Sequence, residues 1–349
     1  MPQTFPLNAW YAAAWDVEVK NALFARTIAG VNMVLRRRSS GEVVALEDAC
    51  WHRLLPLSLG RIEDDEVVCG YHGLKFDAGG RCTRMPGQDK ISPNARVRAF
   101  PAVERHRFVW VWPGDPAQAD PALIPDLHWN HDPAWAGDGK VVHLACDYRL
   151  VVDNLMDLTH ETFVHHSSIG NSAVAETPFD TYHSEKTAEV VRLMRDVEPP
   201  PFWVAQLGRN VKVDRWQIIR FEAPATVAID VGVAPTGTGA FEGDRSQGVN
   251  GYVLNTITPE TATTCHYFWA FARNYRLGEQ SLTHDLREGV ARIFGEDYVI
   301  LEAQQRAVDA HKDRDFVNLA IDAGAMRARR IIDKMIAAET APPHQHAAE

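Results

Sequence analysis

The chain has 349 residues, more than one small domain needs, so we expect two domains with separate cores. Its 36 basic and 46 acidic residues give a net charge of −10, which argues against nucleic acid or an anionic membrane surface as a partner. No segment approaches the roughly 20 apolar residues of a membrane span, and residues 1–4 do not resemble the start of a signal peptide. Five cysteines, an odd number, suit a reducing compartment, so we expect a cytoplasmic protein.

The N-terminal third is predicted to form an all-β domain. Short β-prone segments are separated by Gly, Asp and Pro turns. The clearest of these segments are residues 33–35, 43–46, 67–68 and 108–112. Residues 113–128 are rich in Pro and Asp and have no regular period, so we place the boundary between the domains there, with the first domain at 1–120 and the second at 121–349.

Two Cys/His pairs lie in this β domain, Cys50-x-His52 and Cys69-x₂-His72. In a Rieske [2Fe–2S] cluster two cysteines hold one iron and two histidines hold the other, and one Cys and one His per loop fits that asymmetry. The same four residues also satisfy tetrahedral zinc, although zinc fingers usually group Cys with Cys and His with His. We therefore predict a [2Fe–2S] cluster, with structural zinc as the alternative.

The second domain has a mixed pattern. Residues 149–164 are predicted to be helical, and residues 282–337 form a helix-rich tail. Between them lie strand candidates at residues 190–194, 216–221, 227–233, 252–257 and 265–272. Antiparallel strands flanked by helices predict an α+β domain. Residues 341–349 are expected to form an irregular end.

A polar stripe runs through the predicted helix at 149–164. Asn154, Asp157 and His160 recur every three residues, so a helix places them on one face, and the apolar residues around them suggest that this face points inward. His165 is rotated by about 140° from His160 on a regular helix, so the helix must end or bulge between the two. His166 is an adjacent alternative that spacing alone leaves open.

A third metal ligand is predicted in the C-terminal tail. Residues 286–301 place Asp297, but not Glu296, within an apolar helical stripe. That stripe consists of Val290, Ile293, Phe294 and Leu301. A buried carboxylate needs a partner, which a metal or a neighbouring side chain such as Arg292 or Tyr298 can provide. With His160 and His165, Asp297 completes the two-His-one-carboxylate set that leaves positions on Fe(II) open for O₂.

Candidate pocket residues follow from position on the predicted strands. Gln217, Asn255 and His266 supply polar groups that can face a cavity and hydrogen-bond a small molecule. Glu288 is a further candidate, although it lies on the opposite helical face from Asp297 unless the helix breaks at a glycine between them.

The order of Rieske pairs, Pro-rich linker, Asn-x₂-Asp-x₂-His-x₄-His and a late Asp resembles the Rieske non-haem iron oxygenases over essentially the whole chain. Further stretches resemble the vanillate O-demethylase oxygenases, whose relatives include the toluenesulfonate methyl-monooxygenases and the dicamba demethylases. These stretches are residues 153–165, 200–203, 214–217, 258–260 and 321–324. Trp51 and the pair Leu54-Leu55 depart from the pattern, because many members have Pro and Gly-Ala there.

This resemblance implies an enzyme, the oxygenase component of a multicomponent monooxygenase with a [2Fe–2S] cluster and Fe(II). It implies hydroxylation by O₂ of a methyl or methoxy carbon on an aromatic acid, with formaldehyde released in a vanillate-type O-demethylation. Hydroxylation of the methyl group of a toluenesulfonate-like substrate and ring dihydroxylation are the alternatives. A third hypothesis is that the chain is a pure electron carrier without the second iron.

The resemblance also implies a homotrimer in which the cluster of one subunit faces the iron of the next. Asp157 is then expected to bridge His72 of one subunit to His160 of its neighbour, while Asn154 is a distant ligand or a structural helix residue. The glycines in residues 237–243 do not match the G-x-G-x-x-G nucleotide fingerprint. We therefore expect electrons from a separate NAD(P)H-dependent flavin and iron–sulfur reductase.

Overall fold

The computed structural model describes residues 4–341, and the first domain consists of β strands. The strands are β1 (Tyr11–Trp15), β2 (Phe24–Ile28), β3 (Val31–Arg37), β4 (Val43–Glu47), β5 (Arg61–Glu63), β6 (Glu66–Val68), β7 (Lys75–Phe76), β8 (Cys82–Arg84), β9 (Ala99–Phe100), β10 (Ala102–Arg105) and β11 (Phe108–Val111). They form three antiparallel sheets, with the orders β1-β11-β10, β2-β3-β4-β9 and β5-β6-β7-β8. Residues 4–111 contain one 3₁₀ turn and no α-helix. The all-β prediction is confirmed.

One seven-stranded antiparallel sheet dominates the second domain, in the order β12-β18-β17-β16-β15-β14-β13. Its strands are β12 (Ala136–Leu144), β13 (Asp180–His183), β14 (Thr187–Val197), β15 (Val213–Glu222), β16 (Thr226–Pro235), β17 (Val249–Thr261) and β18 (Thr264–Arg273). Each predicted strand lies within one of β14–β18. The sequence missed β12 because Gly139 weakens its strand signal, yet that glycine is required: a Cβ there would lie 1.8 Å from the Trp269 carbonyl oxygen.

Within the described part of the second domain, six α-helices accompany the sheet and confirm the α+β class. They are α1 (Tyr148–Met156), α2 (Glu161–Val164), α3 (Ser172–Glu176), α4 (Pro201–Leu207), α5 (Gln280–Ala310) and α6 (Ala323–Thr340). The helix-rich tail therefore forms as two helices. No helix within residues 4–341 has the length and apolar character to cross a membrane. Apart from residue 341, the predicted irregular end lies outside the described residues.

The single helix predicted for residues 149–164 is wrong. Helix α1 ends at Met156, because Asp157 adopts an extended conformation with φ −128° and ψ 99°. A 3₁₀ turn at Leu158–His160 and the short α2 follow. The expected end of the helix between the two histidines is present, since α2 ends at Val164, but a further break at Asp157 precedes His160.

The seven-stranded sheet is covered on both faces. Alternate residues of β18, such as Trp269 and Phe271, belong to the core that includes residues of α1, α5 and α6. Phe268, on the opposite face of β18, packs toward the first domain, where its ring centroid lies 6.0 Å from that of Phe108. Thr258 Oγ1 also donates to the Ala12 carbonyl at 2.6 Å. The first domain thus covers one face of the seven-stranded sheet.

Candidate metal centres and the adjoining cavity

The two predicted cluster loops have the same backbone geometry. The Cys50 N–H donates to the carbonyl of Leu55, and the Cys50 carbonyl accepts from the N–H of Leu54. Cys69 makes the same two bonds, with residues five and four positions later. The fourth residue has a positive φ in both loops, 60° at Leu54 and 73° at Gly73. Leu54 therefore adopts the left-handed conformation that usually favours glycine, so the departure from the family pattern preserves the loop.

The four donors divide into a buried pair and an exposed pair. Cys50 and Cys69 are 1% and 2% exposed, whereas His52 and His72 are exposed and their ring centroids lie 4.6 Å apart. Burial raises the pKa of the Cys50 thiol to about 11, so its thiolate requires a compensating cation. Two buried sulfurs and two adjacent outer imidazoles fit a cluster with an inner and an outer iron.

Large apolar side chains are exposed around these loops. Trp51, Leu54 and Tyr71 are 43%, 72% and 64% exposed, and Leu59 nearby is 68% exposed. Apolar groups gathered on a surface in this way are typical of an interaction site. The rim of the cluster loops is therefore a candidate interaction surface.

His160, His165 and Asp297 come together in the second domain. One ligand atom from each lies within 4.8 Å of the others. The extended Asp157 turns the chain so that the 3₁₀ turn presents His160, and α2 carries the chain to His165. His166 is exposed, and its Nδ1 lies 3.4 Å from the Phe163 carbonyl oxygen. The structure thus distinguishes His165 from the alternative that spacing left open.

Both histidines direct Nε2 toward the carboxylate. His160 Nε2 lies 3.5 Å from Asp297 Oδ1, and His165 Nε2 lies 3.2 Å from Asp297 Oδ2. Their Nδ1 atoms are held elsewhere, at 2.6 Å from the Asp157 carbonyl oxygen and at 2.6 Å from Glu296 Oε2. Such outer partners fix the tautomer that leaves Nε2 free for a metal.

The chemistry of this donor set fits a divalent cation. Burial alone lowers the pKa of His165, but hydrogen bonds to Asp297 and Glu296 outweigh burial and raise its pKa to about 9. A positive charge is therefore favoured between these carboxylates, and a metal supplies it while leaving the imidazole neutral. Two imidazole nitrogens and one carboxylate, with further positions open, match non-haem Fe(II).

Asn154 and Asp157 lie beside this group in different ways. Asn154 Nδ2 lies 3.5 Å from His160 Nε2 and donates to Asp297 Oδ1 at 3.3 Å. Within one chain Asp157 contacts His160 through its backbone carbonyl, while its carboxylate Oδ1 accepts from the Thr159 N–H at 2.9 Å and caps the 3₁₀ turn.

Glu296 was missed because it lies off the apolar stripe of α5. Replacing it by Gln removes the charge that holds His165 Nδ1, and we expect iron to bind about 10- to 100-fold more weakly. Iron retained after dialysis against a competing chelator measures the effect. Glu302→Gln, on the same helix, is the matched control and should retain iron like the wild type. Equal retention by both variants contradicts the assigned role of Glu296.

A cavity of about 680 Å³, counting the space at its open mouth, adjoins the three metal-ligand candidates. Its apolar walls include Leu158, Phe202, Ile229 and Phe294. Besides Asn154 and the three metal-ligand candidates, its polar side chains are Glu161, Arg215 and Gln217. Of the four predicted pocket residues, Gln217 lines it, whereas Glu161 and Arg215 were not predicted.

Asn255 and Glu288 are placed elsewhere and are corrected. Asn255 lies on β17 but does not line the cavity; its amide donates to the Val227 carbonyl and accepts from the Tyr267 hydroxyl at 2.7 Å. Glu288 pairs with Lys140 at 2.7 Å. Helix α5 runs unbroken from Gln280 to Ala310, so no break redirects Glu288 toward the cavity.

His266 is also corrected, because it faces the first domain rather than the cavity. Arg26 of β2 donates from Nη1 to His266 Nδ1 at 3.2 Å, which requires that nitrogen to be unprotonated. Glu260 and His143 are the other titratable neighbours: Glu260 Oε1 lies 3.7 Å from His266 Nε2, and the two imidazole rings are 5.2 Å apart. Burial, reinforced by Arg26, lowers the pKa of His266 to about 4.

Because His266 is buried and neutral, we expect the stability of the fold to decrease in acid. Between about pH 6.5 and pH 4, His266 is protonated in the unfolded chain but neutral in the folded chain. The free energy of unfolding therefore falls as the pH falls through that window. The contribution is at most about 3 kcal/mol. Denaturant unfolding at several pH values should show a flatter profile for His266→Gln, while the exposed-site control His183→Gln keeps the wild-type profile. A wild-type slope in His266→Gln contradicts the prediction.

Comparison with known proteins agrees with both centres. Residues 9–101 match the Rieske [2Fe-2S] domain, and residues 144–338 match the vanillate O-demethylase oxygenase C-terminal domain. The chain is 49% identical over 323 residues to a vanillate O-demethylase oxygenase subunit from Pseudomonas sp. (strain ATCC 19151), covering 91% of this chain and 98% of that one. It is 40% identical over 352 residues to a toluene-4-sulfonate monooxygenase system iron-sulfur subunit from Comamonas testosteroni, covering 97% and 100%.

A solved structure extends the likeness to the fold. Dicamba monooxygenase with non-haem iron and dicamba superposes with a TM-score of 0.83 at 34% identity, covering 96% of this chain and 98% of that one. The matched domains follow one another in the order predicted from the ligand motifs. This chain belongs to the Rieske non-haem iron oxygenases, in the group of the vanillate O-demethylase oxygenases, and is an oxidoreductase with a [2Fe–2S] cluster and a non-haem iron.

Proposed function

We propose that this chain is the oxygenase component of a multicomponent monooxygenase that hydroxylates the methoxy carbon of a vanillate-like aromatic acid and so releases formaldehyde. The observation that carries the proposal is the cavity that contains His160, His165 and Asp297 at one place and apolar walls elsewhere. An aromatic ring fits such walls, and the likeness to vanillate O-demethylase subunits supports this substrate class.

In this proposal Cys50, His52, Cys69 and His72 hold the cluster. His160, His165 and Asp297 hold the iron, which when bound supplies the oxygen-activating chemistry. The remaining residues position these groups. Glu296 and the Asp157 carbonyl orient the two imidazoles, and the apolar walls orient the ring and exclude water from the reacting carbon.

Asp157 is proposed to link subunits within a homotrimer. Its carboxylate is partly buried beside the iron-ligand group, while the cluster loops carry exposed apolar side chains at Trp51, Leu54 and Tyr71. A neighbouring subunit that covers this rim brings His72 toward Asp157, which in turn touches His160. In this arrangement each site depends on two chains.

The remaining assignments of the proposal concern partners and organisation. A separate NAD(P)H-dependent flavin and iron–sulfur reductase supplies electrons. The five cysteines are all free and buried, which supports a reducing compartment and a cytoplasmic location. The division at 1–120 and 121–349 places the last strand of the first domain, β11, before the boundary, and β12 after it.

A second candidate activity is hydroxylation of an aryl methyl group to a stable benzyl alcohol. The 40% identity to a toluene-4-sulfonate monooxygenase subunit favours it over ring dihydroxylation. Both candidates use the same two metals and the same apolar cavity. They differ in whether the oxidised product falls apart to formaldehyde.

Substrate-dependent oxygen uptake with a surrogate reductase tests the proposal. Vanillate, toluenesulfonate, dicamba and phthalate are compared, with formaldehyde and labelled-oxygen incorporation as product readouts. We expect vanillate to give one labelled oxygen and formaldehyde, whereas two labelled oxygens indicate ring dihydroxylation. Metal analysis should give about three irons and two acid-labile sulfides per chain. Two irons and no substrate-dependent uptake overturn the proposal in favour of an electron carrier.

A further inference from the structure

Arg215 is a buried cation with an unused donor. It lies on β15, is 2% exposed, and lines the cavity beside the metal-ligand group. Its Nη2 donates to Glu161 Oε2 at 2.8 Å. Its Nη1 is buried and has no hydrogen-bond partner among the described residues. Because buried donors are almost always paired, this nitrogen requires an acceptor that the described chain does not supply.

The neighbouring polar side chains already have partners. Gln217 Nε2 donates to Glu161 Oε2 at 2.9 Å, and Gln217 Oε1 accepts from Arg192 Nη1 at 3.3 Å. Arg192 Nη2 in turn donates to Thr159 Oγ1 at 3.0 Å. Glu161 thus holds one side of the Arg215 guanidinium in a fixed orientation, while Nη1 on the other side has no partner among the described residues.

Arg215 is also the cation of this cavity. Burial lowers its pKa and Glu161 opposes that shift, but a guanidinium stays charged in proteins. Arg192, the other arginine of the network, does not line this cavity and instead borders a separate depression with Phe179. An anionic group on a ring lying against the apolar walls therefore meets Arg215 rather than Arg192.

We infer that Arg215 binds the anionic group of the aromatic substrate, a carboxylate or a sulfonate, through Nη1. This inference rests on the proposed function, since it assigns the acid-recognition residue of the same cavity. A charge-assisted hydrogen bond is about twice as strong as a neutral one, and inside an apolar cavity it is little screened by water. Arg215 then selects aromatic acids over neutral aromatics of the same shape.

Calorimetric binding to the metal-loaded protein, with no reductase present, tests the inference. The probes are benzoate, benzenesulfonate and the neutral benzamide. In Arg215→Gln we expect benzoate binding to weaken by about 10- to 100-fold, in line with a lost bond to a charged group, and benzamide binding to change by less than about 2-fold. Benzenesulfonate shows whether the site prefers the planar carboxylate, which accepts two parallel bonds from a guanidinium.

Arg192→Gln is the matched control, because Arg192 belongs to the same buried network without lining this cavity. It should leave the ratio of benzoate to benzamide affinity unchanged. Equal weakening of both probes in Arg215→Gln overturns the inference and makes Arg215 a support for Glu161. If Arg215→Gln does not fold, Arg215→Lys, which keeps the charge but loses the planar fork, should weaken benzoate selectively and serves the same comparison.

The binding assay separates this inference from the proposed function, because it requires no turnover. Arg215-dependent benzoate binding in a protein that oxidises no methyl or methoxy group supports the inference and overturns the proposed function. Turnover of vanillate with unchanged acid selectivity in Arg215→Gln does the opposite.

Discussion

Asp297→Asn is expected to lose the non-haem iron and with it about 100- to 1000-fold of turnover, while the visible absorption of the [2Fe–2S] cluster persists. Metal binding in protein sites is worth on the order of 10 kcal/mol, so removing one of three ligands costs about a third of it. The substitution keeps the shape of a side chain that is 6% exposed and faces both histidines. The packing of α5 should therefore survive.

Iron content, acid-labile sulfide and substrate-dependent oxygen uptake of one preparation measure this effect. Asp285→Asn is the matched control, since it makes the same change at an exposed position of α5. It should retain about three irons per chain and full uptake. An Asp297→Asn protein that keeps the third iron and its activity contradicts the assignment of Asp297 as a ligand.

Asp157→Asn has the second largest expected effect, a loss of about 100-fold or more in turnover with both metals retained. Asn keeps the Oδ1 acceptor that caps the 3₁₀ turn, and the backbone carbonyl that holds His160 is untouched. The change therefore removes the carboxylate charge and little else. If Asp157 links His160 to His72 of a neighbouring subunit, the pathway between the metals is interrupted.

The diagnostic measurement is single-turnover oxidation of the reduced cluster in the presence of substrate and O₂. In Asp157→Asn the cluster should stay reduced for at least about 100-fold longer than in the wild type. Asp147→Asn is the matched control, because Asp147 caps α1 by the same bond, 2.9 Å to the Arg149 N–H. Unchanged cluster oxidation, or loss of iron from Asp157→Asn, contradicts the proposed link.

The metal-ligand candidates could be predicted from the sequence because each of them belongs to a short-range sequence pattern. Each Cys/His pair lies within one short loop, so spacing alone indicates two sulfur and two nitrogen donors. Asp297 was found because an acidic residue interrupts an apolar stripe with helical period, and the structure buries it on that face of α5. The spacing of His160 and His165 required the helix to end or bulge. It did not indicate the additional break at Asp157.

Contacts between distant segments were not accessible in this way. Glu296 reaches His165 across 131 positions, and Arg215 reaches Glu161 across 54. No local pattern relates such pairs. The extended conformation of Asp157 was likewise hidden, because the helical pattern of residues 149–164 continues across the break.

The strand residues illustrate the remaining limit. Gln217 faces the cavity, and His266 faces Arg26 of the first domain. Strand alternation separates inner from outer faces only when one face meets water, but both faces of this sheet are covered, one by helices and the other by the first domain. Short segments thus carry the ligand motifs and indicate the chemistry, whereas the stacking of the two domains determines which polar side chains line the cavity.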